Sequence, residues 1–331
     1  MKRFIIVLST VLLSITCLTG CAAGDWSQGS EERKLRITAT IFPIYDWVMN
    51  ILGENASDAD VVMLLNSGAD LHSYQPTADD IMKISTSDVF IYIGGESDEW
   101  VEDALSTAAN KNMIVLNLLD ILGDDAKEEE LVEGMQETEH DHEHEEEHEQ
   151  EEGEYDEHIW LSLRNAEVLV NSISKVLQSA DQEHAADYEK NTAAYVGQLN
   201  ELDQKYKDAV SASSYDTLLF GDRFPFRYLT TDYGLSYYAA FAGCSAETEA
   251  SFETVVFLAK KMDELGLHSI IALESSDQKL AETIIRNTES KDQKVLVMDS
   301  MQSATLKDAA NGITYLSIME KNLEVLRQAL E

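Results

Sequence analysis

Two sets of four short apolar runs, one on each side of a thirty-residue stretch without proline, set the tightest limit on how this chain can fold. The first set is Leu35–Phe42, Asp60–Leu65, Asp88–Ile93 and Met113–Leu118; the second is Asp216–Phe220, Leu235–Ala242, Ser269–Leu273 and Lys294–Met298. Nearly continuous apolar runs of this length suit strands buried on both faces, as in parallel sheets covered by helices. Between the runs, apolar residues recur at helical spacing, as in Ala78–Ile84, Trp100–Ala108, Phe252–Leu265 and Lys279–Asn287. The fold class expected is α/β: two lobes, each with a mostly parallel four-stranded sheet flanked by helices. Within the proline-free stretch, 181–210, Tyr188, Tyr195, Leu199, Leu202 and Tyr206 follow steps of seven, four, three and four, which places them on one helical face. Such a helix would be about 45 Å long, enough to run along both lobes as a long rigid interlobe helix. Gly197 in its middle leaves open two shorter helices broken at that point.

The N-terminus reads as an export signal: Lys2 and Arg3, an apolar core from Phe4 to Ile15, then "LTGC" ending at Cys21. The apolar core is too short to serve as a mature membrane span. Thr19 and Gly20 before Cys21 match a bacterial lipoprotein cleavage box, so Cys21 is expected to be the lipidated first residue of the mature chain, with two acyl chains as a stable anchor. The divisions expected are a signal peptide at 1–20, a polar tether at 21–34, an N-terminal lobe at 35–180, the interlobe helix at 181–210 and a C-terminal lobe at 211–331. The protein would act outside the cytoplasm as a monomer anchored to the cell membrane. Cys17 leaves with the signal and Cys21 carries lipid, so Cys244 has no intrachain disulfide partner. A small buried hydrophobe is the favoured use of Cys244, with a soft metal ligand as the alternative.

Charge narrows the partners. With 24 basic and 62 acidic residues the formal net charge is −38, and the basic footprint that nucleic acid requires is absent. Seventeen of the carboxylates lie in Glu128–Glu157, interleaved with His140, His142, His144 and His148. The segment at about 123–156 is low in complexity and poor in bulky apolar residues, and is expected to be a disordered loop of the N-terminal lobe. Imidazoles alternating with carboxylates suit zinc, nickel or copper better than calcium, which makes the four histidines an accessory metal-capture loop. His158 ends the acidic run and is followed at once by Ile159, Trp160 and Leu161, so it enters a core.

In open parallel sheets ligands sit beyond the carboxyl ends of the strands. On that test the candidates are His72 after the second run, Asp222 and Arg223 after the fifth, Glu247 and Glu249 after the sixth, and Glu274 and Asp277 after the seventh, together with His158. Two neutral imidazoles with one or two carboxylates, drawn from both lobes, would suit zinc or manganese. Each residue alone is weak evidence, since a lone histidine is more often structural than a ligand.

The fragments "GADLHSYQPTADD", "GGESDEWVEDAL", "DEHIWLSLRNAEVLVNSI", "YEKNTAAYVGQL" and "FRYLTTDYGL" occur in an order that resembles the metal-specific solute-binding lipoproteins that feed zinc or manganese to ABC importers. The resemblance covers most of the mature chain. It implies a bilobal fold and a metal bound in the cleft by residues of both lobes, then delivered to an ABC permease driven by a cytoplasmic ATPase. The chain itself carries no Walker A sequence. His72 matches the family's first histidine and His158 its second, in a D-x-H-x-W-L-S context. Asp277 is the best match for the family's carboxylate, with Glu274 beside it as the alternative. At the third ligand the chain departs from the pattern, because Arg223 occupies that place and a guanidinium cannot coordinate. Asp222 ranks first as its substitute; Glu247, or a water with Arg223 paired to Glu247, are the alternatives. The expected metal set is therefore His72, His158, Asp222 and Asp277. The histidine-rich loop, a zinc-type feature of that family, favours zinc over manganese. Two rivals remain, a zinc-dependent hydrolase and a surface lipoprotein that only buffers metal; with no H-E-x-x-H present, no enzyme activity is expected.

Overall fold

The computed structural model describes residues 33–68, 70–136, 154–245 and 249–331. Each of the eight apolar runs overlaps a strand, although the second strand begins one residue before its run and the fifth continues four residues past its own. In the N-terminal half the order is β1 Leu35–Ala39, α1 Phe42–Leu52, β2 Ala59–Met63, α2 Ala78–Thr86, β3 Val89–Tyr92, α3 Trp100–Ser106, β4 Ile114–Asn117 and α4 Leu118–Leu122. Two long helices follow, α5 Leu163–Ala180 and α6 Ala185–Ala212. The C-terminal half continues with β5 Thr217–Phe224, α7 Arg227–Tyr233, β6 Ser236–Ala242, α8 Phe252–Leu265, β7 Ser269–Leu273, α9 Lys279–Arg286, β8 Lys294–Met298, α10 Leu306–Ala310 and α11 Tyr315–Ala329.

The two sheets have the same plan. Their strand orders are β2-β1-β3-β4 and β6-β5-β7-β8, and every pairing is parallel. Parallel neighbours need a crossover, and the helices between strands provide it while covering the sheet faces. Local signals fix several helix starts. Thr77 and Asp80 form a capping box at α2, and Pro43 in the first turn of α1 gives up an amide that needs no helical partner there.

Helix α6 runs without a break through Gly197, at about 42 Å from end to end. Its buried residues include Tyr188, Thr192, Tyr195, Leu199, Leu202 and Tyr206, which follow alternating steps of four and three, with Asp203 beside them. The helix starts at Ala185 rather than 181, because Asp181 closes the turn from α5. Its carboxylate accepts from the His184 amide, the His184 ring and the Tyr188 hydroxyl. Tyr195 Oη donates to Asp46 on α1, and Tyr206 Oη donates to the Met319 carbonyl on α11, so this one helix is pinned to both halves.

The halves also share a core. Ile37, Phe90, Trp160, Tyr206, Phe220, Leu273 and Tyr315 belong to one continuous buried apolar cluster, in which Trp160 Nε1 donates to the Ser300 carbonyl and Tyr315 Oη to the Trp160 carbonyl. Residues 35–331 form one compact unit. Among the described residues no helix is long and apolar enough to cross a membrane.

The acidic segment corrects the expected loop boundaries. Residues 123–136 and 154–156 are tied down: Glu128 and Tyr155 form an antiparallel bridge, the Glu129 amide donates to the Glu154 carbonyl, and the Asp156 amide donates to the Lys127 carbonyl. Composition hid this stem because its order comes from tertiary contacts, such as Tyr228 Oη donating to the Asp156 carbonyl. His140, His142, His144, His148 and Cys21 lie outside the described residues.

Candidate metal centre

Two short turns carry the histidines. His72 lies in the turn Leu71–Ser73 beyond β2, where the Asp70 carboxylate accepts from the His72 amide at 3.1 Å. His158 precedes the turn Ile159–Leu161, and a single oxygen, Asp156 Oδ1, accepts from both its amide and its ring Nδ1 at 2.9 Å. A proton fixed on Nδ1 leaves Nε2 with a free lone pair, the form a metal needs. His72 has matching partners at its Nδ1: Ser97 Oγ at 2.9 Å and Glu157 Oε2 at 3.4 Å.

The two Nε2 atoms stand 3.2 Å apart. Two nitrogens bound to one zinc at the tetrahedral angle stand about 3.3 Å apart, so the rings are already set at the bite of a single ion. His158 is fully buried and the His72 side chain is 11% exposed, so the pair is largely withdrawn from solvent. Burial first, then the neighbouring His158 and the Arg223 charge, push the His72 imidazole well below its ordinary pKa, and Asp70 only partly opposes them. The balance favours the neutral ring.

Three more side chains close the space. Arg223 Nη2 donates to Asp70 Oδ2 at 2.5 Å and its Nη1 to the Ser245 carbonyl at 3.4 Å. Burial works to raise the Asp70 pKa, but the Arg223 hydrogen bond and charge overcome it and hold the carboxyl below its usual range. Turned so that its nitrogen donates to Asp70 Oδ1 at 2.8 Å, the Gln302 amide sets its oxygen 3.0 Å from His158 Nε2, where both atoms present lone pairs to the same space. Cys244 completes the wall. A ring nitrogen of each histidine and Cys244 Sγ all lie within 4.8 Å of one another, the only such group of three or more His, Cys, Asp or Glu among the described residues. Burial first, then the charges of Glu129, Asp156 and Glu157, push the Cys244 thiol far up, so an ion binding there must displace a proton.

A family model described as zinc-uptake complex component A, periplasmic (ZnuA), matches residues 37–329. The chain belongs to this family. Among its curated relatives, the zinc-binding lipoprotein AdcA of Streptococcus pneumoniae strain R6 is 30% identical over 98% of this chain and 61% of its own length. The high-affinity zinc uptake system protein ZnuA of Bacillus subtilis is 28% identical over 98% of this chain and 96% of its own length. The chain thus spans about three fifths of the streptococcal relatives. The crystal structure of the Zn(II)-bound ZnuA-like domain of Streptococcus pneumoniae AdcA superposes with a TM-score of 0.69 at 28% identity, covering 90% of this chain and 99% of that one.

Within this ZnuA-family fold, the two histidines expected from the sequence meet, and the two carboxylates do not join them. Asp222 falls at a register shift in β5, between Phe220 and Arg223. The shift turns its carboxylate to the Arg223 amide (2.9 Å) and across to the Leu273 amide of β7 (3.1 Å), where it ties strand ends together. Asp277 has a side chain 62% exposed and pairs with Lys279 at the start of α9. Its neighbour Glu274 accepts from the Ser300 amide and hydroxyl and from Ser303 Oγ, and so holds the loop that carries Gln302. Arg223 does not repel an ion as an unpaired cation would; its partner is Asp70, while Glu247 lies outside the described residues.

Sequence reasoning set Cys244 aside as packing and passed over Gln302 and Asp156. Signals existed for all three. Cys244 lies two residues beyond the end of β6 and Gln302 four beyond the end of β8, both at the strand ends where ligands gather. Asp156 stands two residues before His158, within reach of the same ring.

Proposed function

We propose that this protein captures one zinc ion outside the cytoplasm between His72 and His158 and delivers it to an ABC permease driven by a cytoplasmic ATPase. The observation that carries this reading is the pair of Nε2 atoms 3.2 Å apart, each ring held at its Nδ1. Converging imidazole nitrogens favour zinc over manganese, which prefers oxygen donors. Cys21 would anchor the monomer to the cell membrane through lipid, and His140, His142, His144 and His148 would raise the local zinc concentration without forming the tight site. The family role and the buried pair support binding rather than catalysis.

The test is a calorimetric titration of the chelator-stripped protein with zinc and with manganese. One tight event is expected for zinc. His158→Ala should weaken it at least about 100-fold, or ~2.7 kcal/mol, and deletion of 137–153 should leave it in place. Loss of the tight event on deletion, with His158→Ala harmless, would move the function from the cleft to the loop.

A further inference from the structure

We infer that Cys244 supplies the third ligand as a thiolate, which makes the cleft a two-histidine, one-cysteine site for zinc and other borderline or soft d-block ions. This rests on the reading of the cleft as the place of capture. Four observations lead to it.

The first is proximity. Cys244 Sγ and one ring nitrogen of each histidine fit within a 4.8 Å span. Donors on one tetrahedral zinc stand about 3.3 to 3.6 Å apart, so the cluster closes by roughly an ångström. The second is the backbone that brings the thiol there. A Cβ on Gly243 would stand 3.1 Å from His158 Cε1, 3.2 Å from its Nδ1 and 2.9 Å from the Phe224 carbonyl, so only glycine lets this segment lie so near the ring. Glu129 Oε1 then accepts from the Cys244 amide at 2.8 Å and holds the segment in place.

The third is elimination by hydrogen bonding. Asp70 is held by Arg223, by the Gln302 amide and by the His72 amide; Asp222 joins β5 to β7; Glu274 holds the Ser300 loop. Each would have to give up buried partners to coordinate, whereas coordination by Cys244 displaces a proton that burial and the nearby carboxylates otherwise keep on the sulfur. The fourth is charge. Two neutral imidazoles leave a divalent ion uncompensated in a buried place, and a thiolate removes one unit of that charge. On binding, the S–H bond breaks, a sulfur–metal bond forms and the proton passes to solvent, with no change of oxidation state. The Gln302 oxygen, 3.0 Å from His158 Nε2, is a neutral donor beside the remaining position. Nitrogen and thiolate donors select zinc, cobalt(II) and cadmium and discriminate against manganese.

Cobalt(II) is the probe. The full chain carrying Cys17→Ser and Cys21→Ser, so that Cys244 is its sole thiol, is titrated with cobalt(II) and then with zinc. The expected result is a near-ultraviolet thiolate-to-cobalt charge-transfer band that zinc abolishes. Cys244→Ser should lose the band and bind zinc about 10- to 100-fold more weakly, with an unchanged far-ultraviolet dichroism spectrum. Cobalt binding without that band in the parent protein would overturn the thiolate while leaving capture in the cleft intact; the band is read on the parent, so this holds even if Cys244→Ser fails to fold. Retention of full zinc affinity in a folded Cys244→Ser would do the same. Failure of the parent to bind either ion, or binding indifferent to His158→Ala, would instead remove the reading on which the inference stands.

Discussion

A histidine becomes a ligand when its other nitrogen is occupied, and Asp156 does this for His158 with one oxygen that also takes the backbone amide. Partners of this kind are worth about 10- to 100-fold in metal affinity. Asp156→Ala should therefore weaken zinc binding by that factor in a competition titration against a chromophoric chelator. Asp156→Asn, whose amide oxygen still accepts from Nδ1, should fall between Ala and the parent. Equal affinity in all three would mean that the ring is held by packing against Trp160, its neighbour at 5.3 Å between centroids. At this scale the sequence was readable only in part. His72 and His158 stood out because their surroundings carry recognisable patterns. The fate of a carboxylate near a strand end did not, because it depends on a one-residue shift in register at Asp222 and on a solvent-facing side chain at Asp277.

At the scale of elements, Asp46 holds three helices together. On α1, its Oδ2 accepts from Asn50 one turn on, from Tyr195 Oη of α6 and from the Tyr315 amide at the start of α11. Burial outweighs these hydrogen bonds and raises its pKa from 3.8 to about 6. The folded form therefore holds a proton that the unfolded chain has already released. Stability from this group is fully present below the unfolded pKa and is lost as pH rises through about 6. Asp46→Asn cannot ionise and keeps a carbonyl oxygen for the same donors. Its urea midpoint, measured without metal, should fall less between pH 5 and pH 7.5 than that of the parent; parallel profiles would show that Asp46 titrates like an ordinary carboxylate. The helices Asp46 joins were visible beforehand as apolar spacing, α6 above all. Their exact starts, and the ordered stem on either side of the histidine-rich run, were not. Those depend on partners distant in sequence, such as Tyr228 against the Asp156 carbonyl.

Over the whole molecule, the two sheets repeat one plan yet do not behave as separate bodies, since the apolar cluster passes from Ile37 and Phe90 through Trp160 and Tyr206 to Leu273 and Tyr315. The repeat of the plan could be read from eight apolar runs; the shared core could not, because a run does not declare which partner covers it. A wide hinge opening would expose Trp160 and break its bond to the Ser300 carbonyl, so release of a bound ion should proceed through small shifts of the loops that carry His72, Cys244 and Gln302. The same continuity predicts how the protein unfolds. If the halves were independent, calorimetry of the metal-free chain would resolve two transitions, or a van't Hoff enthalpy well below the calorimetric one. A common core and a helix pinned at both ends predict a single transition with the two enthalpies equal. Zinc should then raise the whole transition rather than split it, by about 4 kcal/mol at a free concentration a thousandfold above Kd, because the shared core ties the half that carries His72 and His158 to the other. Zinc that shifted only part of the heat absorption would show that the two halves unfold separately.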